Sequence, residues 1–301
     1  MKRKKKRIKK PSQPKQQATP APASADIGQL LTKAIEDHQQ SRLVEAEAGY
    51  RKILEITPDH ADANHLLGVI AYQVGKLGMA EKLITKAIQT DPHQPNFHLN
   101  LGNVLQDLNR APEAMASYGK ALEINPDFPE AHNNVGNALK NSGDLKQAIL
   151  HFGKAIELRP TYAEAHNNLG NALNDINKPD EAIPHLRRAV EINDGYIEAY
   201  NNLARALSTN GEHQEAADWC RKTITLAPDF IDAHINLGVI LLKMGQTEEC
   251  LAICQNAVTL APDNPATHVA LANVLRTFGR FDEALASYNQ ALDLKPDHEE
   301  A

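Results

Sequence analysis

Small residues recur along the chain at intervals of 34 residues from residue 27 onward. One position of this period holds Gly or Ala: Gly68, Gly102, Gly136, Gly170, Ala204, Gly238 and Ala272. A second position holds Ala46, Ala80, Ala114, Ala148, Ala182, Ala216, Cys250 and Ala284. The apolar residues around them are spaced three and four apart, which is the helical spacing. The pattern predicts helices that pack closely at the small residues, because the side chains at a contact set the distance between helices.

Breaks between the helices follow the same period. Pro stands at positions 58, 92, 126, 160, 228, 262 and 296, and Asp194 takes the one remaining place. Gly or Asn stands at positions 75, 109, 143, 177, 211, 245 and 279, and these residues tolerate the left-handed backbone that ends a helix. Each period therefore predicts a helix A, a turn, a helix B and a second turn.

A helix–turn–helix unit of 34 residues resembles the tetratricopeptide repeat, and the resemblance covers residues 27–298. It implies an all-α, right-handed superhelix, an α–α solenoid in which stacking buries the apolar faces. About eight repeats are expected, at 27–60, 61–94, 95–128, 129–162, 163–196, 197–230, 231–264 and 265–298, with the start of another at 299–301. Solenoids generally need a polar cap, so we expect either that the natural chain continues past Ala301 or that a partner covers the last surface.

The charge is divided between a basic tail and an acidic body. Residues 1–26 carry +8 and the remainder −14. The segment 11–25 is rich in Pro, Gln, Ala and Ser, so we expect residues 1–26 to be a disordered tail and linker before an array at 27–301. A nucleic acid or an anionic surface is an alternative partner, through phosphate contacts to Lys2, Arg3, Lys4, Lys5, Lys6, Arg7, Lys9 and Lys10.

Asparagine recurs in helix A although its side chain competes for nearby backbone groups and disfavours helix. In repeat 163–196 the core stripe centres at about 20° on a helical wheel, whereas Asn167, Asn168 and Asn171 fall at about 140°, 240° and 180°. An amide both donates and accepts, so a row of amides can pair with an extended backbone. The predicted peptide-binding residues are Asn100, Asn103, Asn134, Asn137, Asn167, Asn168, Asn171, Asn202, Arg205, Asn236 and Asn273.

Helix A carries N-L-x-N at 100–103 and 168–171 and N-V-x-N at 134–137. These motifs are similar to those of the repeat arrays of protein O-GlcNAc transferases, in which an asparagine ladder on the concave surface binds substrate backbone. The resemblance implies a scaffold for extended segments of other proteins. An alternative is the substrate-recognition arm of a larger or partnered glycosyltransferase or sulfotransferase, which would require a catalytic partner domain. The plainer alternative is that Asn is a common polar choice in such arrays and simply faces water.

Other residues suggest little chemistry. We expect the row His98, His132, His166, His234 and His268 to pack between repeats, and Cys220, Cys250 and Cys254 to pack as small apolar residues. No phosphate-binding loop, HExxH or GxSxG motif occurs, so we expect no enzyme activity in this chain, no metal and no cofactor. The few cysteines and the lack of a long apolar segment favour a cytoplasmic protein.

Overall fold

The computed structural model describes residues 24–295, and all the regular structure within that range is helical. The sixteen helices are α1 Ser24–Gln39, α2 Leu43–Ile56, α3 Ala61–Gln73, α4 Leu77–Thr90, α5 Pro95–Asp107, α6 Ala111–Ile124, α7 Pro129–Asn141, α8 Leu145–Leu158, α9 Ala163–Asp175, α10 Pro179–Ile192, α11 Ile197–Thr209, α12 His213–Leu226, α13 Ile231–Lys243, α14 Thr247–Leu260, α15 Pro265–Thr277 and α16 Phe281–Leu294. Each predicted repeat contains two of these helices, which confirms an all-α solenoid of helical hairpins.

The helices form two compact units, which are described separately. The N-terminal unit ends at Leu108 and the C-terminal unit begins at Asn109, so the boundary falls inside the third repeat, a division that the repeat register does not predict. Helix α1 begins at Ser24, three residues before the boundary predicted between tail and array.

No helix in the described range is long and apolar enough to span a membrane.

The turns after helix A use the predicted left-handed residues. All seven predicted Gly and Asn residues have a positive φ, between 58° for Asn109 and 89° for Gly143 and Gly211. At the first of these turns the N–H of Lys76 donates to the carbonyl of Ala71 at 2.8 Å, which closes the end of α3 as in a Schellman motif. Ser41 has a φ of 58° at the corresponding turn of the first repeat.

Helix A and helix B of a repeat approach closely at the periodic glycines. A Cβ added to Gly136 would lie 2.5 Å from Cε1 of Phe152, and one added to Gly170 would lie 2.5 Å from Cγ of Leu186. Both partners are fully buried. The predicted close packing is therefore confirmed at these positions.

In five repeats the histidine row anchors the loop before helix A. In each of them the histidine ring donates from Nε2 to a carbonyl six residues earlier, over 2.7 to 3.2 Å. The pairs are His98 with Pro92, His132 with Pro126, His166 with Pro160, His234 with Pro228, and His268 with Pro262. The repeat that lacks this proline also lacks the histidine, and there the Tyr200 hydroxyl donates to the Asp194 carbonyl.

Candidate functional site

The predicted asparagines of the C-terminal unit lie on successive helices A. We call the surface that carries them the amide face, formed by α7, α9, α11 and α13, with the residues Asn134, Asn137, Asn168, Asn171, Asn202, Arg205 and Asn236. All of them are half-buried. Adjacent helices A pack against one another through the unit, so the residues of one repeat lie beside those of the next.

Hydrogen bonds between asparagines join neighbouring repeats. In each case the donor is Nδ2 of the Asn at one shared repeat position, and the acceptor is Oδ1 of the Asn 35 residues earlier, in the preceding repeat. These bonds run from Asn168 to Asn133 at 3.0 Å, from Asn202 to Asn167 at 2.9 Å and from Asn236 to Asn201 at 2.8 Å. The amides therefore hold the repeats in register, a structural role that the sequence reasoning did not foresee.

One predicted binding residue is not on the surface. Asn167 is only 5% exposed, and its Nδ2 donates to the Tyr196 hydroxyl at 3.3 Å. The helical wheel treats α9 as an isolated helix, whereas the next repeat covers the position at about 140°. The equivalent residues Asn133 and Asn201 are also buried, so this position accepts bonds from neighbouring repeats and does not contact solvent.

The N-terminal unit uses the same contact with a different acceptor. Asn100 Nδ2 lies 2.8 Å from Nε2 of His65, which occupies the position of Asn133 or Asn167. His65 is 7% exposed, and burial lowers its pKa to about 4, so the ring is neutral at pH 7 and its Nε2 can accept. Asn103 lies half-buried one turn further along α5.

A polar pocket of about 300 Å³ lies on the amide face between α9, α11 and α13. Its lining residues are Asn171, Asn201, Asn202, Arg205, Asp232, Ile235 and Asn236. Four of these residues were predicted from the sequence. Asn201, Asp232 and Ile235 were missed, although the helical wheel places Asp232 beside Asn236, four residues later on α13.

Arg205 takes the place of the third asparagine in α11. Its Nη2 donates to Oδ1 of Asn171, and it also donates to Oδ1 of Asp175 at 3.1 Å. Nζ of Lys140 lies 3.6 Å from the other Asp175 oxygen. The arginine therefore continues the contact between repeats and adds a charge to the pocket wall.

The asparagine row ends at α13. Asn273 on α15 accepts a hydrogen bond of 2.7 Å from the Tyr288 hydroxyl of its own repeat. Ala270 stands where a second Asn would donate to the preceding repeat. Asn273 is thus on the predicted helix but outside the network of the amide face.

The cysteines pack in the interior of the C-terminal unit. Cys220, Cys250 and Cys254 are fully buried free thiols. Cys250 Sγ donates to the Gly238 carbonyl at 3.0 Å, and burial raises the pKa of Cys220 to about 12. These thiols behave as the small apolar residues that were expected.

The basic residues from Lys2 to Lys10 lie outside the described residues.

These features define a class of protein, an α-solenoid of helical hairpins with a polar surface on successive helices A. Sequence models described as tetratricopeptide repeat match residues 61–94, 162–229 and 229–297, and one described as TPR repeat matches residues 107–143 and 136–176. The chain belongs to the tetratricopeptide repeat family. Comparison with curated proteins gives no significant match.

Solved structures share the architecture. The crystal structure of YrrB, a TPR protein described as having an unusual peptide-binding site, is 28% identical, with a TM-score of 0.53 over 61% of this chain and 95% of that one. The APC/C hetero-tetramer Cut9–Hcn1 is 19% identical, with a TM-score of 0.67 over 90% of this chain and 53% of that one. The fold is that of a protein-interaction scaffold, and arrays of this repeat alone are typically non-catalytic.

Proposed function

We propose that the protein binds extended segments of other proteins along the amide face, through their main chain. The observation that carries this proposal is the polar pocket of about 300 Å³, lined by four asparagine side chains from three successive repeats. In ligand sites a few convergent polar groups fix the orientation of the ligand, and here those groups match a peptide main chain.

The asparagines keep groups available after holding the repeats together. In Asn202 and Asn236 one N–H of each amide is used between repeats. An amide has two N–H donors and an oxygen with two lone pairs. Each side chain therefore retains one donor and its acceptor oxygen, the pair of groups that complements the C=O and N–H of a peptide.

The spacing of the repeats suits an extended chain. Packed helices lie about 8–10 Å apart, and an extended peptide rises about 3.3 Å per residue. Neighbouring rows of amides are thus about three peptide residues apart. Because the bonds between repeats already fix the amides in place, little side-chain freedom is lost on binding, which favours affinity.

The likeness to YrrB supports the proposal independently. That structure is described as a TPR protein with a peptide-binding site, and this chain covers nearly its whole length at 28% identity. Peptide recognition is therefore known in a protein of similar fold and detectable sequence similarity.

An array of unstructured peptides tests the proposal with the full chain. The test variant is Asn137→Ala with Asn171→Ala, because neither asparagine donates to a buried partner in the described range. The matched control is Asn256→Ala with Asn289→Ala, two exposed asparagines on α14 and α16. We expect wild type and control to bind many unrelated sequences. The test variant should bind about thirtyfold more weakly, because two hydrogen bonds are lost at about 1 kcal/mol each. Equal binding by both variants would reject the site.

A further inference from the structure

Four carboxylates share the amide face with the asparagines. Each lies four residues before an asparagine and is therefore its neighbour on the helix surface. The pairs are Glu130 with Asn134, Glu164 with Asn168, Glu198 with Asn202, and Asp232 with Asn236. The Glu164 carboxylate accepts a bond of 2.8 Å from Asn133 Nδ2, and Asp232 lines the polar pocket. The acids thus run alongside the proposed path of the peptide.

Three of these carboxylates, Glu164, Glu198 and Asp232, form no ion pair within residues 24–295. Glu130 pairs with Arg159. Glu198 and Asp232 are exposed. The row therefore carries uncompensated negative charge around α11 and α13, where the pocket lies.

The cations of the amide face pair with a different acid, Asp175. Arg205 and Lys140 both lie near Asp175, at 3.1 and 3.6 Å, toward the C-terminal ends of the helices. The two edges of the face consequently differ: the edge near the helix C-termini has its acid paired, and the edge near the N-termini exposes free acids.

The negative charge of the row acts on the half-buried ring of Tyr196. Burial, and then the negative charges of Glu164 and Glu198, raise the pKa of Tyr196 to about 12. Tyr196 lies directly before α11 and its hydroxyl is hydrogen-bonded by Asn167. Carboxylates from two successive repeats therefore both raise the pKa of the same side chain, as expected if they form a continuous row.

We propose that the amide face selects extended segments with Lys or Arg at about every third residue, whose cations pair with Glu164, Glu198 and Asp232. The inference rests on the proposed function, because the amides hold the main chain that presents these side chains. A rise of about 3.3 Å per residue against a helix spacing of about 8–10 Å sets the three-residue interval. Residues 27–301 contain more acidic than basic residues, so the electrostatic potential around the amide face is also negative and attracts a basic segment.

The test measures binding of fluorescent peptides to the full chain. The probes are SKGSKGSKGSKG and its versions with Gln or Glu in place of Lys, which cannot form stable helices. The acid variant is Glu198→Gln with Asp232→Asn. The matched control is Glu248→Gln with Asp282→Asn, because these exposed acids also lie in the first turn of a helix, on α14 and α16, and interact with its dipole in the same way.

We expect the Lys probe to bind wild type about fivefold to tenfold more tightly than the Gln probe at about 0.05 M salt, and the Glu probe to bind most weakly. The preference for Lys should fall in the acid variant, persist in the control and shrink at about 0.5 M salt. Equal binding of the Lys and Gln probes, or an equal loss in the two variants, would overturn the inference. The Gln probe keeps the two proposals distinct: its sensitivity to Asn137→Ala with Asn171→Ala reports the amide site alone.

Discussion

Replacing Asn168 with Ala should destabilise the fold, because it removes the hydrogen-bond donor of a buried residue in the preceding repeat, Asn133. Asn133 is 0% exposed, and its Oδ1 accepts a 3.0 Å bond from Asn168. Asn168→Ala leaves that oxygen buried without a donor, which costs about 1–3 kcal/mol. Alanine is the better helix former and returns up to about 0.7 kcal/mol. We therefore expect a net loss of about 1–2 kcal/mol in the free energy of unfolding.

The assay is urea unfolding at 25 °C, followed by circular dichroism and by the fluorescence of Trp219, which lies in the same unit. The loss should also lower Tm by about 2–8 °C for a unit of this size. Asn137→Ala is the matched control, because Asn137 has no hydrogen-bond partner among residues 24–295 and should gain slightly from helix propensity. A double-mutant cycle with Asn133→Ala should give a coupling of about 1 kcal/mol. Equal stabilities of the two single variants would refute the reasoning.

Two further predictions concern packing and pH. Gly136→Ala should lower the free energy of unfolding in urea by about 1–3 kcal/mol, because its Cβ would meet the buried ring of Phe152. Gly153→Ala in α8, where a Cβ would meet nothing within 4 Å, should raise that free energy by up to about 1 kcal/mol. The same sign for both variants would contradict the packing. The pKa of His65 is lowered to about 4 against about 6.5 when unfolded, so its contribution is complete above pH 6.5 and is lost as the pH falls toward 4. Between pH 7 and pH 5 wild type should lose about 2 kcal/mol more than His65→Gln, and parallel pH profiles would show that the ring is not held neutral.

The fold could be predicted because its determinants are local and repeat. The left-handed turns at Gly75 and Asn109 follow from residue type, and the close contact at Gly136 follows from the period of small residues. Ser41 could not be identified in this way, because a serine rarely adopts a positive φ and is selected here by its place in the hairpin. The boundary between Leu108 and Asn109 depends on packing between helices, which the repeat register does not contain.

The site was predicted in part. The wheel points Asn168 and Asn171 away from the core, and the structure leaves both half-buried on the amide face. The wheel also assigned Asn167 to solvent, because the neighbouring repeat is absent from a wheel of one helix. Glu198 and Asp232 were passed over, since an acid in the first turn of a helix is ordinarily explained by the helix dipole. Only the stacking of repeats shows that these acids form a row.

The central claim, that a peptide's main chain binds along the amide face, is tested most directly by a scan of backbone N-methylation. A peptide found on the array is methylated at one amide nitrogen at a time, which removes a donor and leaves the side chains unchanged. We predict that binding to the full chain weakens with a period of about three residues, set by the helix spacing, and that this period disappears in Asn137→Ala with Asn171→Ala. Affinity that is indifferent to methylation, or that follows side-chain identity alone, would contradict the account.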